Sequence, residues 1–338
     1  MKKVIDIQND CKILSNEKSN LSKIIKCLLN DELYYYKENE VFNGNIYPLN
    51  IAEVLACYVF DEVNYFNYVK YYFAKNGENS FGVISKNFIP KNNVNIRTTA
   101  HLLENYLYQH KYKKPFDINA NLDKSKKPIM DALVKKCDGN NLNSIEMLEE
   151  IAETVCKSND IVFDKNDFKK SLLRVAIMDY FTSNPDRNFS NLLFFVNSID
   201  NEKLEFKLCP TFDNGYALGV RSFYAQKYDN ITPKVFDNTD LALGITKKNQ
   251  LIPVPYSAND LFITELIKTS NKYPEEKELI NKFLDLDIEK VINKFEVKED
   301  FKLDNDLRKY IIDTYNKRVE NFKEIAQNDK SYTTELNV

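Results

Sequence analysis

The second half of the chain contains the stretch Asn184-Pro-Asp-Arg-Asn-Phe-Ser-Asn191-Leu-Leu-Phe-Phe-Val196, followed shortly by Pro210-Thr-Phe-Asp213-Asn-Gly215. An Asp and an Asn lie five residues apart in a turn that leads into an apolar strand, and a second Asp follows the next strand. The two apolar strands would hold these polar side chains in fixed relative positions. The alternative is a hairpin with polar ends, because turns rich in Asp and Asn are common without a catalytic role.

The oxygen atoms of Asp186, Asn191 and Asp213 are of the kind that phosphoryl transfer requires. This reaction needs positioning of the reactants and positive charge on the phosphates, which a Lys and Mg²⁺ supply. Because Mg²⁺ prefers oxygen ligands, Asn191 would offer it an amide oxygen and Asp213 a carboxylate. Asp186 would orient and deprotonate the acceptor hydroxyl. The spacing therefore predicts a phosphotransferase that uses ATP and Mg²⁺.

Length and hydrophobicity predict a folded chain of two lobes or two small domains. The chain has 338 residues, of which 43% are hydrophobic. No run of about 18 uncharged apolar residues occurs, so we expect no membrane span. Acidic residues stand where an N-terminal signal peptide needs an apolar core. We therefore expect a cytoplasmic protein, although secretion without such a signal leaves no trace in a sequence.

The charge balance argues against a general nucleic-acid binder. The chain has 47 basic and 50 acidic residues, which are interspersed and give a net charge of −3. Neutralising the phosphates of DNA or RNA requires a basic surplus or a basic face. We therefore expect no nucleic-acid partner.

Cysteine and histidine content limits the possible chemistry. The six cysteines show no CxxC spacing and mostly stand in apolar segments, so we expect reduced, buried thiols. The two histidines, His101 and His110, are too few for a His-based zinc site or a Ser-His-Asp triad. Carboxylates, Asn and Lys must therefore carry the chemistry.

Residues 1–95 are predicted to form a small antiparallel sheet with one helix. Polar turns predict two hairpins, one around Asn30-Asp-Glu32 and one around Lys75-Asn-Gly-Glu-Asn79. The helix would run from Ile51 to about Glu62, with Asn50 as its N-cap. This first lobe would bind the nucleotide.

The pattern becomes helical after residue 95, with two short strands in the middle. We therefore expect an α+β fold with two lobes: a β-rich lobe over 1–95, a larger helical lobe with the catalytic loop over 96–330, and a flexible tail over 331–338. A cleft between lobes is a preferred place for ligands. Apolar residues at three- and four-residue spacing predict the helices Arg97–Tyr112, Lys127–Lys136, Ser144–Lys157, Phe168–Phe181, Asn259–Ser270, Glu275–Leu286, Ile288–Lys294 and Asp304–Gln327. The strands are predicted over Leu192–Val196 and Leu204–Leu208.

Lys37 is the candidate for the lysine that binds the phosphates. In kinases such a lysine stands on a strand of the first lobe and pairs with a glutamate on a helix. Glu53 lies one turn into the following helix, on a face with apolar neighbours. A rival interpretation pairs Glu53 with Asn50 in a capping box, and Lys37 would then be an exposed strand end. The motif around Asp186 favours the ion pair.

The phosphate loop is the weakest part of the pattern. The chain has only 7 Gly and no GxGxxG sequence. The segment Ser15-Asn-Glu-Lys-Ser-Asn20 lies just before the expected first strand, where such a loop belongs. Backbone N–H groups, Ser15, Ser19 and the charge of Lys18 would cradle a phosphate there. An ordinary solvated turn is the alternative.

These residues resemble a known family. Asp186-Arg-Asn-Phe-Ser-Asn191 with Phe212-Asp213-Asn-Gly215 is similar to the D-R-H-x-x-N and D-x-x motifs of the HipA-like serine/threonine kinases. The front of the chain resembles a smaller branch, the CtkA-like bacterial kinases. There Asn30-Asp-Glu-Leu-Tyr-Tyr-Tyr-Lys37 and Ala52-Glu-Val-Leu-Ala-Cys57 are similar to the lysine strand and the glutamate helix, and Gly82-Val-Ile-Ser-Lys-Asn-Phe88 to the strand that leads to the adenine-binding hinge. The resemblance covers roughly residues 12–300.

The resemblance implies an atypical, phosphatidylinositol-kinase-like fold and serine/threonine kinase activity with ATP and Mg²⁺. Some members are toxins held in check by an antitoxin, so the partners would be a protein substrate and an antitoxin or other regulatory protein. Asn188 departs from the motif's usual His but removes no metal ligand. The implied roles are Asp186 as catalytic base, Asn191 and Asp213 as Mg²⁺ ligands, Lys37 with Glu53 at the phosphates, and Lys86, Asn87 and Phe88 at the nucleotide.

Two other functions stay open at this point. A lipid or small molecule could accept the phosphoryl group on the same fold, because a fold does not fix a substrate. A non-catalytic pseudokinase could bind a partner instead. The presence of Lys37, Asp186, Asn191 and Asp213 together disfavours an inactive site.

Overall fold

The computed structural model describes residues 4–18, 23–78, 80–98, 102, 144–184, 187, 191–200, 203–229, 244–245, 251–252, 266–268 and 270–328. These residues form a β-rich N-terminal lobe and a largely helical C-terminal lobe, which confirms the predicted α+β, two-lobed architecture. The expected tail, and most of the expected helices Arg97–Tyr112, Lys127–Lys136 and Asn259–Ser270, lie outside the described residues.

The N-terminal lobe is built on a six-stranded sheet with the strand order β1-β7-β8-β4-β3-β2. A separate hairpin, β5–β6, connects this sheet to the long helix α2. The elements of the lobe are β1 (Ile5–Asp6), α1 (Ile7–Asp10), β2 (Lys12–Lys18), β3 (Lys23–Leu29), β4 (Glu32–Glu38), β5 (Glu40–Phe42), β6 (Asn45–Tyr47), α2 (Leu49–Glu62), β7 (Tyr71–Lys75) and β8 (Phe81–Lys86).

Both predicted hairpins are present. β3 and β4 are joined by Asn30 and Asp31, which both adopt left-handed backbone angles with φ of 51° and 62°. Two positive φ values in a two-residue loop match the right-handed twist of the flanking strands, and Asn and Asp tolerate them best after Gly. β7 and β8 form the second antiparallel pair. β4 therefore lies between β3 and β8, with Lys37 opposite Ile24 and Val83.

Helix α2 is buried along most of its length, including the carboxylate of Glu53, which is 1% exposed. The prediction that Asn50 caps this helix is wrong. The helix begins one residue earlier, at Leu49, and Pro48 occupies the N-cap position without a side-chain hydrogen bond. The reason is a contact distant in sequence, because the Asn50 N–H donates to Asn39 Oδ1 at 2.9 Å.

The C-terminal lobe contains a four-stranded sheet with the order β10-β12-β11-β9, and helices that pack around it. The prediction of a helix from Arg97 is wrong at its start, because Arg97 lies on β9 and pairs with Phe194 of β11. The elements are β9 (Asn93–Thr98), α3 (Ser144–Ser158), β10 (Ile161–Phe163), α4 (Lys165–Phe181), β11 (Leu193–Asp200), β12 (Lys203–Leu208), a 3₁₀ turn (Ala217–Gly219), α5 (Val220–Asp229), β13 (Gly244–Ile245), β14 (Leu251–Ile252), α6 (Pro274–Leu284), α7 (Ile288–Glu299) and α8 (Asn305–Asn328).

A continuous apolar core joins α2 to the helices of the C-terminal lobe. Next to it a short parallel bridge pairs Tyr68 with Thr211. The Val69 N–H donates to the Thr211 carbonyl at 2.7 Å, and the Thr211 N–H donates to the Asn67 carbonyl at 3.0 Å. The bridge fixes the chain two residues before Asp213 against the N-terminal lobe.

The described residues also bear on membrane spans and on the state of the cysteines. No helix among the described residues is both long and apolar enough to cross a bilayer. The five cysteines that the structure describes are free thiols, and four of them are buried.

Candidate active site

Lys37, Glu53 and Asp213 meet where the two lobes face each other. The Lys37 ammonium lies 2.5 Å from Asp213 Oδ1 and 3.5 Å from Glu53 Oε1. The Glu53 side chain is 2% exposed, whereas the side chains of Lys37 and Asp213 are about one quarter exposed, at 25% and 27%. The lysine and one carboxylate therefore remain accessible to a ligand, and the second carboxylate supports the lysine from behind.

The backbone after Phe212 is shaped to present Asp213. Asp213 adopts a left-handed conformation with φ of 56°, which among residues other than Gly is found mostly for Asn, Asp and His. Its N–H donates to the Tyr71 hydroxyl at 3.2 Å, and the next N–H, of Asn214, donates to Glu53 Oε2 at 2.7 Å. Glu53 thus binds Lys37 and Asn214, and the capping-box alternative with Asn50 does not occur.

The three charges influence one another strongly. Burial lowers the pKa of Lys37, but Asp213 and Glu53 outweigh it and hold this pKa well above its ordinary value. Burial raises the pKa of Glu53 to about 7, with Lys37 opposing the rise. Burial also acts upward on Asp213, but Lys37 prevails and the pKa of Asp213 is lowered. Asp213 is therefore the firmly ionised carboxylate of the pair at neutral pH.

Arg187 connects this group to Asn191 of the predicted catalytic motif. Its side chain is buried, and its two terminal nitrogens and Nε all donate hydrogen bonds. Nη1 donates to the carbonyls of Asn191, at 3.2 Å, and Phe212, at 2.5 Å. Nη2 donates to the Asn214 side-chain oxygen at 3.0 Å. The Arg187 guanidinium therefore binds one predicted metal ligand, Asn191, and both neighbours of the other, Asp213.

Asp179, near the end of α4, anchors the other side of Arg187. Its carboxylate accepts from Arg187 Nε at 2.9 Å and Nη2 at 2.8 Å, and also from the Asn184 side chain at 3.3 Å. Burial raises the pKa of Asp179 against the opposing effect of Arg187. Asn184, at the start of the motif, is therefore bound to the same ion pair as Asn191 and the two neighbours of Asp213, Phe212 and Asn214.

The C-terminal helix α8 supports the chain just ahead of the motif. Ser183 has a left-handed φ of 50°, and its hydroxyl lies 3.1 Å from Arg318 Nε, which donates to it. The Tyr180 hydroxyl in turn donates to the Arg318 carbonyl at 3.1 Å. The Leu218 N–H donates to the Thr182 carbonyl at 2.5 Å, which links this turn to the segment after Asp213.

Some predicted site residues lie outside the described residues. These are Asp186, the predicted catalytic base, and Ser19 of the predicted phosphate loop. Asn184 and Arg187, on either side of Asp186 in sequence, are described, and both bind Asp179. Asn191 is 8% exposed and lies two residues before the start of β11.

The expected phosphate loop is not a loop before the first strand, and this part of the sequence interpretation is wrong. Ser15 and Lys18 lie on β2, where Ser15 pairs with Lys26 and Lys18 with Lys23 of β3. β2 is the edge strand of the six-stranded sheet. Ser15 therefore forms part of a ladder with β3, and residues 19–22 lie outside the described residues.

Of the three residues predicted at the hinge, Phe88 is the one that contacts the site. Its ring stacks on Phe212, with centroids 5.7 Å apart, directly before Asp213. Lys86 is exposed and forms an ion pair with Glu32. The Asn87 N–H donates to the Leu33 carbonyl at 2.8 Å, so Asn87 continues the β4–β8 ladder.

Sequence reasoning missed Asp179, Arg187, Tyr71 and Asn214. A signal existed for the first two, since an Asp inside an apolar helix segment requires a partner, and an Arg follows eight residues later. No signal marked Tyr71, and Asn214 stood in the quoted motif without an assigned role, because both act through contacts between the lobes.

The residues present fit a magnesium ion. Among the described residues no group of three or more His, Cys, Asp or Glu side chains could hold a metal. The candidate set is instead one ionised carboxylate, Asp213, with one amide oxygen from Asn191. Mg²⁺ usually takes one or two protein oxygens and completes its shell with phosphate oxygens and waters, so this set suits a metal that arrives with a nucleotide.

Comparison with solved structures identifies which known fold this chain shares. A scan of protein-family models and a search of curated proteins found no match. The crystal structure of the Helicobacter pylori proinflammatory kinase CtkA superposes with a TM-score of 0.55 at 14% identity, covering 99% of both chains. This chain has the CtkA kinase fold. The likeness at this identity concerns the fold, and it confirms the predicted CtkA-like, kinase-type architecture.

Two further structures are more distant. HipA of Shewanella oneidensis, solved with HipB and operator DNA, gives a TM-score of 0.48 at 14% identity, covering 96% of this chain and 66% of HipA. A choline kinase from Cryptosporidium parvum gives 0.20 at 9% identity, covering 95% of this chain and 90% of the enzyme.

Proposed function

We propose that this chain is a protein kinase that transfers the γ-phosphoryl group of ATP to a serine or threonine hydroxyl with the help of Mg²⁺. The observation that carries the proposal is the contact of Lys37 with Asp213 and Glu53 across the two lobes. A buried carboxylate behind an accessible lysine, opposite an accessible ionised carboxylate, is the arrangement that phosphoryl transfer uses. The CtkA-like fold around it supports the same function.

The roles follow from the positions of the side chains. Lys37 would bind phosphate oxygens, with Glu53 keeping its ammonium in place after Asp213 turns to other ligands. Asp213 and Asn191 would hold the metal, which when bound neutralises charge on the phosphates. Arg187 keeps these two ligands in register through the carbonyls of Asn191 and Phe212. Asp186, next to Arg187, would orient the acceptor hydroxyl and take its proton.

The nucleotide base would lie against the aromatic pair Phe88 and Phe212, because their stacked rings adjoin Asp213. Contacts of Lys86 and Asn87 with the nucleotide, and of Ser15, Lys18 and Ser19 with its phosphates, remain predictions of the sequence. So do a cytoplasmic location and an antitoxin or regulatory partner, which the family resemblance alone suggests.

The test is transfer of labelled γ-phosphate from ATP with Mg²⁺ to the chain itself and to a mixture of proteins, followed by mapping of the modified residues. Asp186→Asn should abolish transfer and spare nucleotide binding, whereas Asp213→Asn should weaken both. Binding is read as the rise in melting temperature with ATP and Mg²⁺, because a ligand of the folded state stabilises it. Asp300→Asn, at an exposed helix end, is the control.

The outcomes separate the alternatives. Binding without transfer to any protein would indicate a pseudokinase or a non-protein acceptor. No melting shift at millimolar ATP with Mg²⁺ would contradict the kinase proposal altogether. Modified residues other than Ser or Thr would contradict the acceptor class.

A further inference from the structure

The four residues from Asp213 to Tyr216 each contact the N-terminal lobe in turn. Asp213 binds Lys37, and the Asn214 N–H binds Glu53. Gly215 packs so closely that a Cβ there would lie 3.4 Å from both Glu53 Oε1 and Leu49 Cβ. The Tyr216 hydroxyl completes the series by donating to Glu40 Oε2 at 3.0 Å and Oε1 at 3.4 Å. We call residues 213–216 the cross-lobe segment.

Glu40 and Tyr216 form a small cluster with Arg221. The Arg221 guanidinium lies over the Tyr216 ring, 4.6 Å from its centroid, and its Nε lies 4.0 Å from Glu40 Oε2. Tyr47 faces the same guanidinium, at 5.7 Å from its ring centroid. The side chains of Glu40 and Arg221 are 12% and 20% exposed, so the charges interact with limited screening by solvent.

The cluster is connected to the catalytic group on both sides. Glu40 stands three residues after Lys37, at the start of the β5–β6 hairpin, and Tyr216 stands three residues after Asp213. The contact between Glu40 and Tyr216 therefore lies beside the contact between Lys37 and Asp213, on the same two pieces of chain. The hairpin leads directly into α2, which carries Glu53.

We propose that Glu40 and Tyr216 are a positioning pair for the proposed phosphoryl transfer. Neither side chain touches the reacting groups. Their hydrogen bond holds the cross-lobe segment against the N-terminal lobe, and so keeps Asp213 beside Lys37. This inference rests on the proposed function for its kinetic consequence, whereas the structural coupling stands independently of it.

The kinetic test compares Tyr216→Phe, which removes one hydroxyl, with Glu40→Ala and Glu40→Gln. Tyr216→Phe and Glu40→Ala should each lower kcat/KM for ATP about tenfold, as expected for a hydrogen bond to a charged group. The double variant should fall no further, because both changes break the same bond. Glu40→Gln should retain most activity, since its amide oxygen still accepts from Tyr216.

Tyr224→Phe is the matched control. Tyr224 lies on α5 close to Tyr216 in sequence, and its hydroxyl has no hydrogen-bond partner among the described residues. This variant should keep the kcat/KM of the unmodified protein. Additive losses in the double variant, or a Tyr216→Phe variant as active as the Tyr224→Phe control, would overturn the proposal.

Amide hydrogen exchange gives a readout that needs no activity. The reporter is the Asn214 N–H, which is protected by its bond to Glu53. Exchange of peptides that contain residues 213–216 should be several-fold faster in Tyr216→Phe and Glu40→Ala than in the Tyr224→Phe control. If the unmodified protein transfers no phosphate, the kinase proposal fails. The exchange measurement still tests whether the bond between Glu40 and Tyr216 holds the cross-lobe segment in place. Unchanged exchange would overturn the positioning role even in an active kinase.

Discussion

Arg187 and Asp179 form a bidentate ion pair inside the C-terminal lobe, with nitrogen–oxygen distances of 2.8 and 2.9 Å. Both residues are nearly inaccessible, at 4% exposure each. A buried pair of this kind adds little net stability over apolar residues of the same size, but removing one partner leaves the other charge buried and unpaired. Its role is therefore to hold the Arg187 guanidinium against the carbonyls of Asn191 and Phe212.

Replacing Arg187 by Met should be costly for both folding and activity. Asp179 would lose two charge-assisted hydrogen bonds, and the free energy of unfolding should fall by about 3–5 kcal/mol. Denaturant titration measures this loss. The control is Lys309→Met in the exposed i,i+4 pair with Asp313, where a loss of at most about 1 kcal/mol is expected. A similarly small loss for Arg187→Met would mean that Asp179 is not left as an unpaired buried charge.

Glu53→Gln should separate stability from activity. The amide oxygen of Gln can still accept from the Asn214 N–H, but its NH₂ group would face the Lys37 ammonium without attraction. Because burial already raises the pKa of Glu53 to about 7, a neutral side chain fits the site at little cost in stability.

We therefore expect a melting temperature near that of the unmodified protein and a phosphoryl-transfer rate at least about tenfold lower. Glu53→Ala is the comparison, and it should also lose about 1–3 kcal/mol because the Asn214 N–H is left without an acceptor. Transfer at the normal rate in Glu53→Gln would remove the ion pair from the catalytic machinery.

Gly82→Ala should displace the strand that carries Lys37. A Cβ on Gly82 would lie 2.0 Å from the Lys37 carbonyl oxygen, which is backbone and cannot rotate away. We expect a loss of about 1–3 kcal/mol from overpacking, measured by denaturation, together with a smaller melting shift on addition of ATP and Mg²⁺.

Gly44→Ala is the control for this substitution. Gly44 has a φ of +79° but meets nothing within 4 Å, so the cost there is backbone strain of about 1 kcal/mol with no effect on nucleotide binding. Equal effects of the two variants on binding would show that the close approach at Gly82 is unrelated to the site.

Asp6 should make the stability of the N-terminal lobe depend on pH. The Gly77 N–H donates to its carboxylate at 3.1 Å and is the main cause of a lowered pKa, with burial opposing and Gln8 and Lys75 assisting. A lowered pKa in the folded state means that the stabilisation is complete above the ordinary Asp pKa of 3.8 and is lost as the pH falls through the folded value.

Asp6→Asn should therefore melt at a lower temperature than the unmodified protein at neutral pH, and the two should converge as the pH drops below about 4. Melting curves between about pH 3 and 8 measure this. A difference in melting temperature that stays constant over the whole pH range would show that it does not arise from the charge of Asp6.

Local sequence signals were sufficient for most of the secondary structure. The Asn30-Asp31 turn and the apolar spacing of α4 both act over a few residues. The structure forms the turn at the expected residues, and α4 ends at Phe181 as expected but begins three residues earlier, at Lys165. The signals failed where a distant partner competed. Asn50 has the side chain of a good N-cap, yet its N–H is taken by Asn39, eleven residues away. Arg97 fits a helical pattern but lies on β9 and pairs with Phe194 of β11.

The candidate site could be predicted as a set of residue types but not as a geometry. The pairing of Lys37 with Glu53 followed from their places on a strand and the next helix. The contact of Lys37 with Asp213 joins residues 176 positions apart, and Arg187 reaches partners up to 27 residues away. Such contacts depend on how the lobes pack, and hydrophobic periodicity contains no information about that. The position of Ser15 in an edge strand was missed because its polar neighbours resemble a turn.

The support of Ser183 by Arg318 has a consequence for the newly synthesised chain. Ribosomes add about 5–20 residues per second, and Arg318 follows Ser183 by 135 residues. For about 7 to 27 seconds the turn before Asp186 therefore exists without the helix that braces it. For the proposed kinase, phosphoryl transfer would thus begin only after α8 has been synthesised and has packed against Ser183.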